Sequence, residues 1–180
     1  YRNFKNVDIP LKPYTTVIGE NDSGKSNFME AMKLPLSSND FSYAAKSLRV
    51  TDFNDSVIST FWEGFKRDKE CIREKVNKGE NISEVLNSLP QTIVEVTFLK
   101  PDNAYEMAIL NAWLDEDGEN HYYRIRYEFS PRRGIEVIRY LLEMLDEDGG
   151  AGVEIFPVEL YDYEVTSTNN GKRINSRSLS

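Results

Sequence analysis

Residues Gly19-Glu20-Asn21-Asp22-Ser23-Gly24-Lys25-Ser26 spell G-x-x-x-x-G-K-S, and nothing else in the chain limits its fold as tightly. Before them lies Tyr14-Thr15-Thr16-Val17-Ile18, a β-branched run suited to a buried strand. After them, Phe28, Ala31 and Met32 recur at helical spacing until Pro35 stops the run. Strand, glycine-bearing loop and helix, in that order, describe a phosphate-binding loop. Glycines let the backbone turn its N–H groups inward on an anion, and the helix N-terminus adds partial positive charge. In such a loop Lys25 reaches the β- and γ-phosphates of a nucleotide, and the Ser26 hydroxyl ligates Mg2+. Gly19, Asn21, Asp22, Ser23 and Gly24 would form the cradle, with Asn27 next on the helix. The carboxylates of Glu20 and Asp22 would repel a triphosphate, so their side chains are expected to point outward. The competing description is a glycine-containing surface turn, and both flanks argue against it.

Composition narrows the class further. The 180 residues, 39% hydrophobic and 12% aromatic, suffice for one domain with a core and are too apolar for wholesale disorder. A net charge of −8 disfavours a free-standing nucleic-acid binder, although a whole-chain average does not exclude a local basic patch. No apolar run approaches the ~20 residues of a membrane helix, so no membrane partner is expected. One cysteine, Cys71, cannot close an internal disulfide, which suits a reducing compartment such as the cytoplasm. With His121 the single histidine, a zinc site has too few ligands. The chain opens at Tyr1 inside a strand-like run and closes in a polar stretch through Ser180. It therefore reads as part of a longer protein.

Four regions follow along the chain. Residues 1–35 give two short strands, broken between Ile9 and Tyr14, then the loop and its helix. Residues 36–56 are mixed, with a short helix possible around Tyr43-Ala44-Ala45. Residues 56–89 form a helical insertion: Val57, Phe61, Phe65, Ile72 and Val76 keep helical steps, and Ile82–Leu89 resumes after Gly79 and Asn81. Residues 90–180 are strand-rich. Thr92–Leu99 alternates Ile93, Glu95 and Thr97 against Val94, Val96 and Phe98. Ala104–Leu114 and His121–Phe129 read as hairpin arms around Asp115–Asn120. Ile135, Ile138, Leu141, Leu142 and Leu145 restore a helix, and Val153–Val165 is a last strand.

The opening resembles a known family. Asn3-Phe4-Lys5-Asn6, a short hairpin, then Gly-Glu-Asn-Asp-Ser-Gly-Lys-Ser-Asn-Phe-Met-Glu-Ala-Met is similar to the start of ABC-type ATPase heads of the RecF, SMC and OLD (overcoming lysogenisation defect) branch. Asn27 after the loop serine, and Glu30-Ala31 on the helix, favour that branch over transporter cassettes. Thr51-Asp52-Phe53-Asn54 and the strand Thr92–Leu99 resemble OLD-like heads more weakly. The resemblance implies an α/β P-loop NTPase fold, here the N-terminal lobe of a head with an antiparallel strand region. It implies that Lys5 and Asn6 contact nucleotide phosphates, the alternative being an ordinary edge-strand pair. It implies ATP-Mg2+ binding that drives homodimeric head engagement and controls DNA or a nuclease domain or partner, in DNA repair or anti-phage defence.

Other parts of such a head are not found. No Leu-Ser-Gly-Gly-like signature occurs, and the single glutamine, Gln91, precedes a strand instead of following one. Two stretches mimic a Walker B strand ending in Asp-Glu: Ala112–Glu116 and Leu142–Glu147. The first belongs to a hairpin arm. The second carries Glu143 mid-run with helical period, and a central strand would not bury that charge unpaired. The expectation is an isolated chain that binds nucleotide weakly, if at all, and does not turn it over. Two other readings stay open: a small P-loop kinase, and an ATP-dependent dimerisation module without turnover. Tyr122, Tyr123, Arg124, Arg126 and Tyr127 with Arg132-Arg133 could touch nucleic acid, but a half-buried sheet with a solvated charged face describes them better. His121 reads as structural and Cys71 as a packing residue.

Overall fold

The computed structural model describes residues 1–12, 14–36, 47–99, 101–110, 114–117, 120–148, 156–169 and 172–175. The helices are α1 (Lys25–Leu36), α2 (Asp55–Arg67), α3 (Lys69–Lys78), α4 (Ser83–Ser88), α5 (Ala104–Leu110) and α6 (Gly134–Asp148). The strands are β1 (Thr92–Phe98), β2 (Leu114–Asp117), β3 (Asn120–Pro131), β4 (Tyr161–Asn169) and β5 (Lys172–Asn175). Two units divide the chain: residues 1–27, 47–92 and 129–162 make the first, and 28–46, 93–128 and 163–180 the second.

Phe53 is the hub of the first unit. It follows a 3-10 turn (Val50–Asp52), and its ring centre lies 6.0 Å from Phe129 and 5.9 Å from both Phe156 and Tyr161. Tilted and edge-on contacts at these distances let positive ring edges meet negative ring faces. Around this cluster α2 buries Ile58, Phe61, Trp62 and Phe65, a stripe at steps of three and four. Helix α6 buries Val137, Ile138, Leu141, Leu142 and Leu145, and α3 and α4 pack on it. Helix α3 stops at Gly79, whose φ of 68° lets its N–H return to the Lys75 and Val76 carbonyls. Burial of the Tyr161 hydroxyl pushes its pKa far up and keeps it neutral.

In the second unit the strands follow the order β1-β3-β4-β5, with β2 also paired to β3. β2 and β3 are antiparallel, with Leu114 opposite Tyr123 and Asp117 opposite Asn120; β4 and β5 are antiparallel, with Thr166 opposite Asn175. Strand β3 alternates as a half-buried strand should: Tyr123, Ile125, Tyr127 and Phe129 are buried, and the residues between them are not. Its charged face is neutralised locally, by Arg124–Glu95 at 3.3 Å and Arg126–Glu128 at 2.9 Å. The Tyr127 and Tyr163 rings stack at 6.0 Å.

Five expectations need correction. Among the described residues of 1–18 there is no strand: Tyr14, Val17 and Ile18 are 99%, 43% and 87% exposed. β-branched composition favours a strand only where a partner backbone supplies the ladder, and among the described residues no ladder bond engages Tyr14–Ile18. Ala104–Leu110 is helix and not a hairpin arm. Asn103 explains this, because its side-chain oxygen accepts the Glu106 N–H at 2.8 Å and caps the helix. Within the expected strand Val153–Val165, residues 153–155 fall outside the described residues and residues 156–160 are not strand; β4 begins at Tyr161, after a 3-10 turn closed by the Leu160 N–H on the Pro157 carbonyl at 3.1 Å, and β5 follows it. Cys71 is exposed, since neighbouring Ile72 takes the buried position on α3. Pro35 lies inside the last turn of α1, which ends at Leu36. The stretch Tyr43-Ala44-Ala45 falls outside the described residues.

Helices α3 and α6 are also joined by charge. Asp146 receives Lys69 at 2.7 Å and Arg73 at 2.6 Å. The Lys69 hydrogen bond, aided by Arg73, holds the Asp146 carboxyl below its ordinary 3.8. A lowered folded-state pKa means that the pair's contribution is whole above 3.8 and disappears as pH falls through the lowered value. Asp146→Asn should therefore melt below wild type at pH 6, and the gap should close as pH drops below 3.8. Thermal melts across that range measure it.

Candidate functional site

The loop expected to hold phosphate is built from residues 19–27 of the first unit. It turns at Asn21–Asp22, with the Ser23 N–H on the Glu20 carbonyl at 3.3 Å, and enters α1 directly at Lys25. Asp22 has φ 65° and Gly24 φ 93°. Left-handed backbone at Asp22 is tolerated because a short polar side chain can visit it, whereas the value at Gly24 suits glycine. Glu20, Asn21, Asp22 and Ser23 are exposed. Ser26 is exposed in the first turn of α1, where helix N–H groups lack intrahelical partners.

Lys25 folds back over the loop. Its Nζ donates to the Gly19 carbonyl at 2.6 Å and to the Glu20 carbonyl. The ammonium is thus held on the same short loop whose backbone would cradle phosphate. To reach an anion it must exchange at least one of these carbonyls for a phosphate oxygen, a trade between charge-assisted bonds.

The two glycines leave space that side chains would fill. A Cβ at Gly19 would lie 2.6 Å from Ser23 Oγ. A Cβ at Gly24 would lie 2.3 Å from Asn3 Nδ2. The donor set suits a polyphosphate with Mg2+: a lysine, a hydroxyl beside it, and a close-wound glycine backbone at a helix start.

Lys5 and Asn6 sit in an exposed bend. From this N-terminal segment the observed contacts to the loop come instead from Arg2 and Asn3. Arg2 Nη1 donates to Asn27 Oδ1 at 2.9 Å, and Asn27 Nδ2 donates to Asn3 Oδ1 at 3.0 Å. Arg2 Nε also donates to Asp52 Oδ1 at 2.9 Å. Sequence reasoning missed Arg2, Asn3 and Asp52 as a group. Asn3 and Asp52 stood inside motifs already singled out, but nothing in spacing alone joins positions 50 residues apart.

Neither Walker B mimic is a buried parallel strand. Asp115 and Glu116 lie on β2, antiparallel to β3, opposite Tyr122 and His121. Leu142–Glu147 lies within α6. Ala112 and Trp113 fall outside the described residues.

Residues 1–172 match the family described as AAA ATPase domain. The chain belongs to that family. It is accordingly an ATPase of the P-loop superfamily with a mixed α/β fold, and membership implies nucleotide binding, usually with Mg2+. No curated protein and no solved structure matches the chain. Among the described residues of this AAA ATPase domain, no helix is long and apolar enough to cross a membrane.

Gly24→Ala tests the loop. The residue would be forced into a disfavoured φ, at about 1–2 kcal/mol, and driven into Asn3. The expected outcome is a lower melting temperature together with lost nucleotide binding, read by thermal melts and fluorescent-nucleotide titration.

Proposed function

We propose that this chain is the ATP-binding portion of an ABC-type ATPase head of the RecF, SMC and OLD branch. In this reading the backbone of Gly19–Gly24 cradles the triphosphate, Lys25 neutralises its β- and γ-oxygens, and Ser26 holds Mg2+. Lys5 and Asn6 would turn in from their exposed bend toward the phosphates of a bound nucleotide, and Asn27 closes the cradle from behind. The single observation that carries the proposal is the union, in one loop, of the G-x-x-x-x-G-K-S motif, a glycine at φ 93°, and a lysine returned to its own loop carbonyls at the start of a helix. Bound ATP-Mg2+ would supply the free energy for engagement of two heads, which in turn gates DNA or a nuclease domain or partner, in repair or defence against phage.

The chain's own residues bind and orient. Among the described residues neither Asp-Glu pair ends a buried parallel strand, so the carboxylate that would orient attacking water has no candidate there. Binding without turnover is the expected behaviour of the isolated chain.

Titration with ATP and Mg2+ tests this. Lys25→Ala should weaken binding at least about tenfold, or ~1.4 kcal/mol, by removing the charge opposite the phosphates. Ser26→Ala should bind ATP yet lose most of the gain that Mg2+ confers. Equal affinity in wild type and Lys25→Ala would overturn the reading. Hydrolysis by the isolated chain that vanishes in Lys25→Ala would overturn the expected lack of turnover.

A further inference from the structure

Arg2 occupies a backbone conformation that its side chain does not favour, with φ 45°. Four hydrogen bonds hold it there. Its N–H donates to the Asp52 carbonyl at 2.7 Å, and its own carbonyl accepts the Asn54 side-chain amide at 2.6 Å. Its guanidinium divides between Asp52 Oδ1 and Asn27 Oδ1, each at 2.9 Å. Strain of this kind persists only where the surroundings over-determine it, and it clusters where a site must be held in position.

Each end of the clamp is anchored. Asp52 is buried, and its second oxygen accepts the Arg49 N–H at 2.9 Å. The next residue, Phe53, is locked among Phe129, Phe156 and Tyr161. At the other end Asn27 follows Ser26 directly, and its amide holds Asn3, whose side chain covers the face of Gly24. A continuous chain of contacts therefore runs from the aromatic core through Asp52 and Arg2 to both ends of the Gly24–Asn27 segment.

We propose that Arg2, acting through Asn27, is the positioning residue that fixes Lys25 and Ser26 for phosphate and metal binding, with Asp52 as its anchor. The inference rests on the phosphate-binding reading of the loop and adds to it Arg2 and Asp52, which touch no nucleotide. Arginine is suited to the task because its planar fork serves two acceptors at once, whereas a lysine ammonium at the same place satisfies one.

The test is a double-mutant cycle in the full chain with Asn27→Ala and Arg2→Lys, read by ATP affinity with and without Mg2+ and by thermal melting. Alanine is favourable in the first turn of α1, and lysine retains the charge opposite Asp52, so both variants should stay folded. Each single variant should lose about tenfold in Mg2+-ATP affinity, the scale of one charge-assisted hydrogen bond. The double variant should lose no more than the worse single, because both remove one linkage. Additive losses would mean that Asn27 acts on the nucleotide by itself, and unchanged affinity with lowered melting would mean a purely structural clamp. Either result overturns the proposal. If Arg2→Lys does not fold, Asn27→Ala decides alone: unchanged affinity overturns the proposal, and a loss of ATP affinity without Mg2+ that deepens when Mg2+ is added supports it. A wild-type chain that binds no ATP, like Lys25→Ala, would instead sink the phosphate-binding reading, and this inference with it.

Discussion

Burial of Phe53 among Phe129, Phe156 and Tyr161 is the constraint on which the rest of the first unit depends. These rings come from three stretches far apart in sequence, and their closure fixes the turn that carries Asp52. A buried carboxylate demands partners, because leaving its lone pairs unsatisfied away from water costs several kcal/mol. Arg2 and the Arg49 N–H supply them. Hydrophobic closure thus places a charge, the charge recruits an arginine, and the arginine reaches the functional loop.

The loop shows how a local motif borrows rigidity. Its glycines permit a close-wound backbone, but permission is not order, since glycine loses more conformational freedom on folding than any other residue. Order comes from outside the motif, through Asn3 on Gly24 and Arg2 on Asn27. Lys25, turned onto the Gly19 and Glu20 carbonyls, satisfies its ammonium within the loop itself. The overall charge of −8 does not oppose anion binding here. Loop N–H groups and one lysine would act on an anion at short range, where distant surface carboxylates are largely screened.

Legibility in the sequence varied with the range of the physics involved. Phe61 and Phe65 on α2, the glycine stop after α3 and the alternation of β1 and β3 are matters of local period and φ, and they could be read directly; the buried stripe of α2 adds Ile58 and Trp62, while Val57, read as its first member, is only half-buried. The β-branched run Tyr14–Ile18 could not, because a strand is defined by its neighbour. Ala104–Leu110 was misread for a different reason. Its apolar content suited either element, and a single side-chain cap from Asn103 tips it to helix. The charged residues of β3 were legible as a solvated face, and the structure names the carboxylates that meet them.

By itself the sequence determined which loop could take a phosphate, since glycines, a lysine and a hydroxyl stand in the required order within eight consecutive positions. It also determined much of the apolar faces of α2 and α6, Phe61 and Phe65 on one and Ile138, Leu141, Leu142 and Leu145 on the other, because helical period is a property of neighbouring residues. Tertiary structure alone decided what holds that loop. Arg2, Asn3, Asn27 and Asp52 become one polar chain only when Phe53 packs into its aromatic cluster. The physical reason is that hydrogen bonds between distant residues have no signature in spacing and exist only after the core has brought their backbones together.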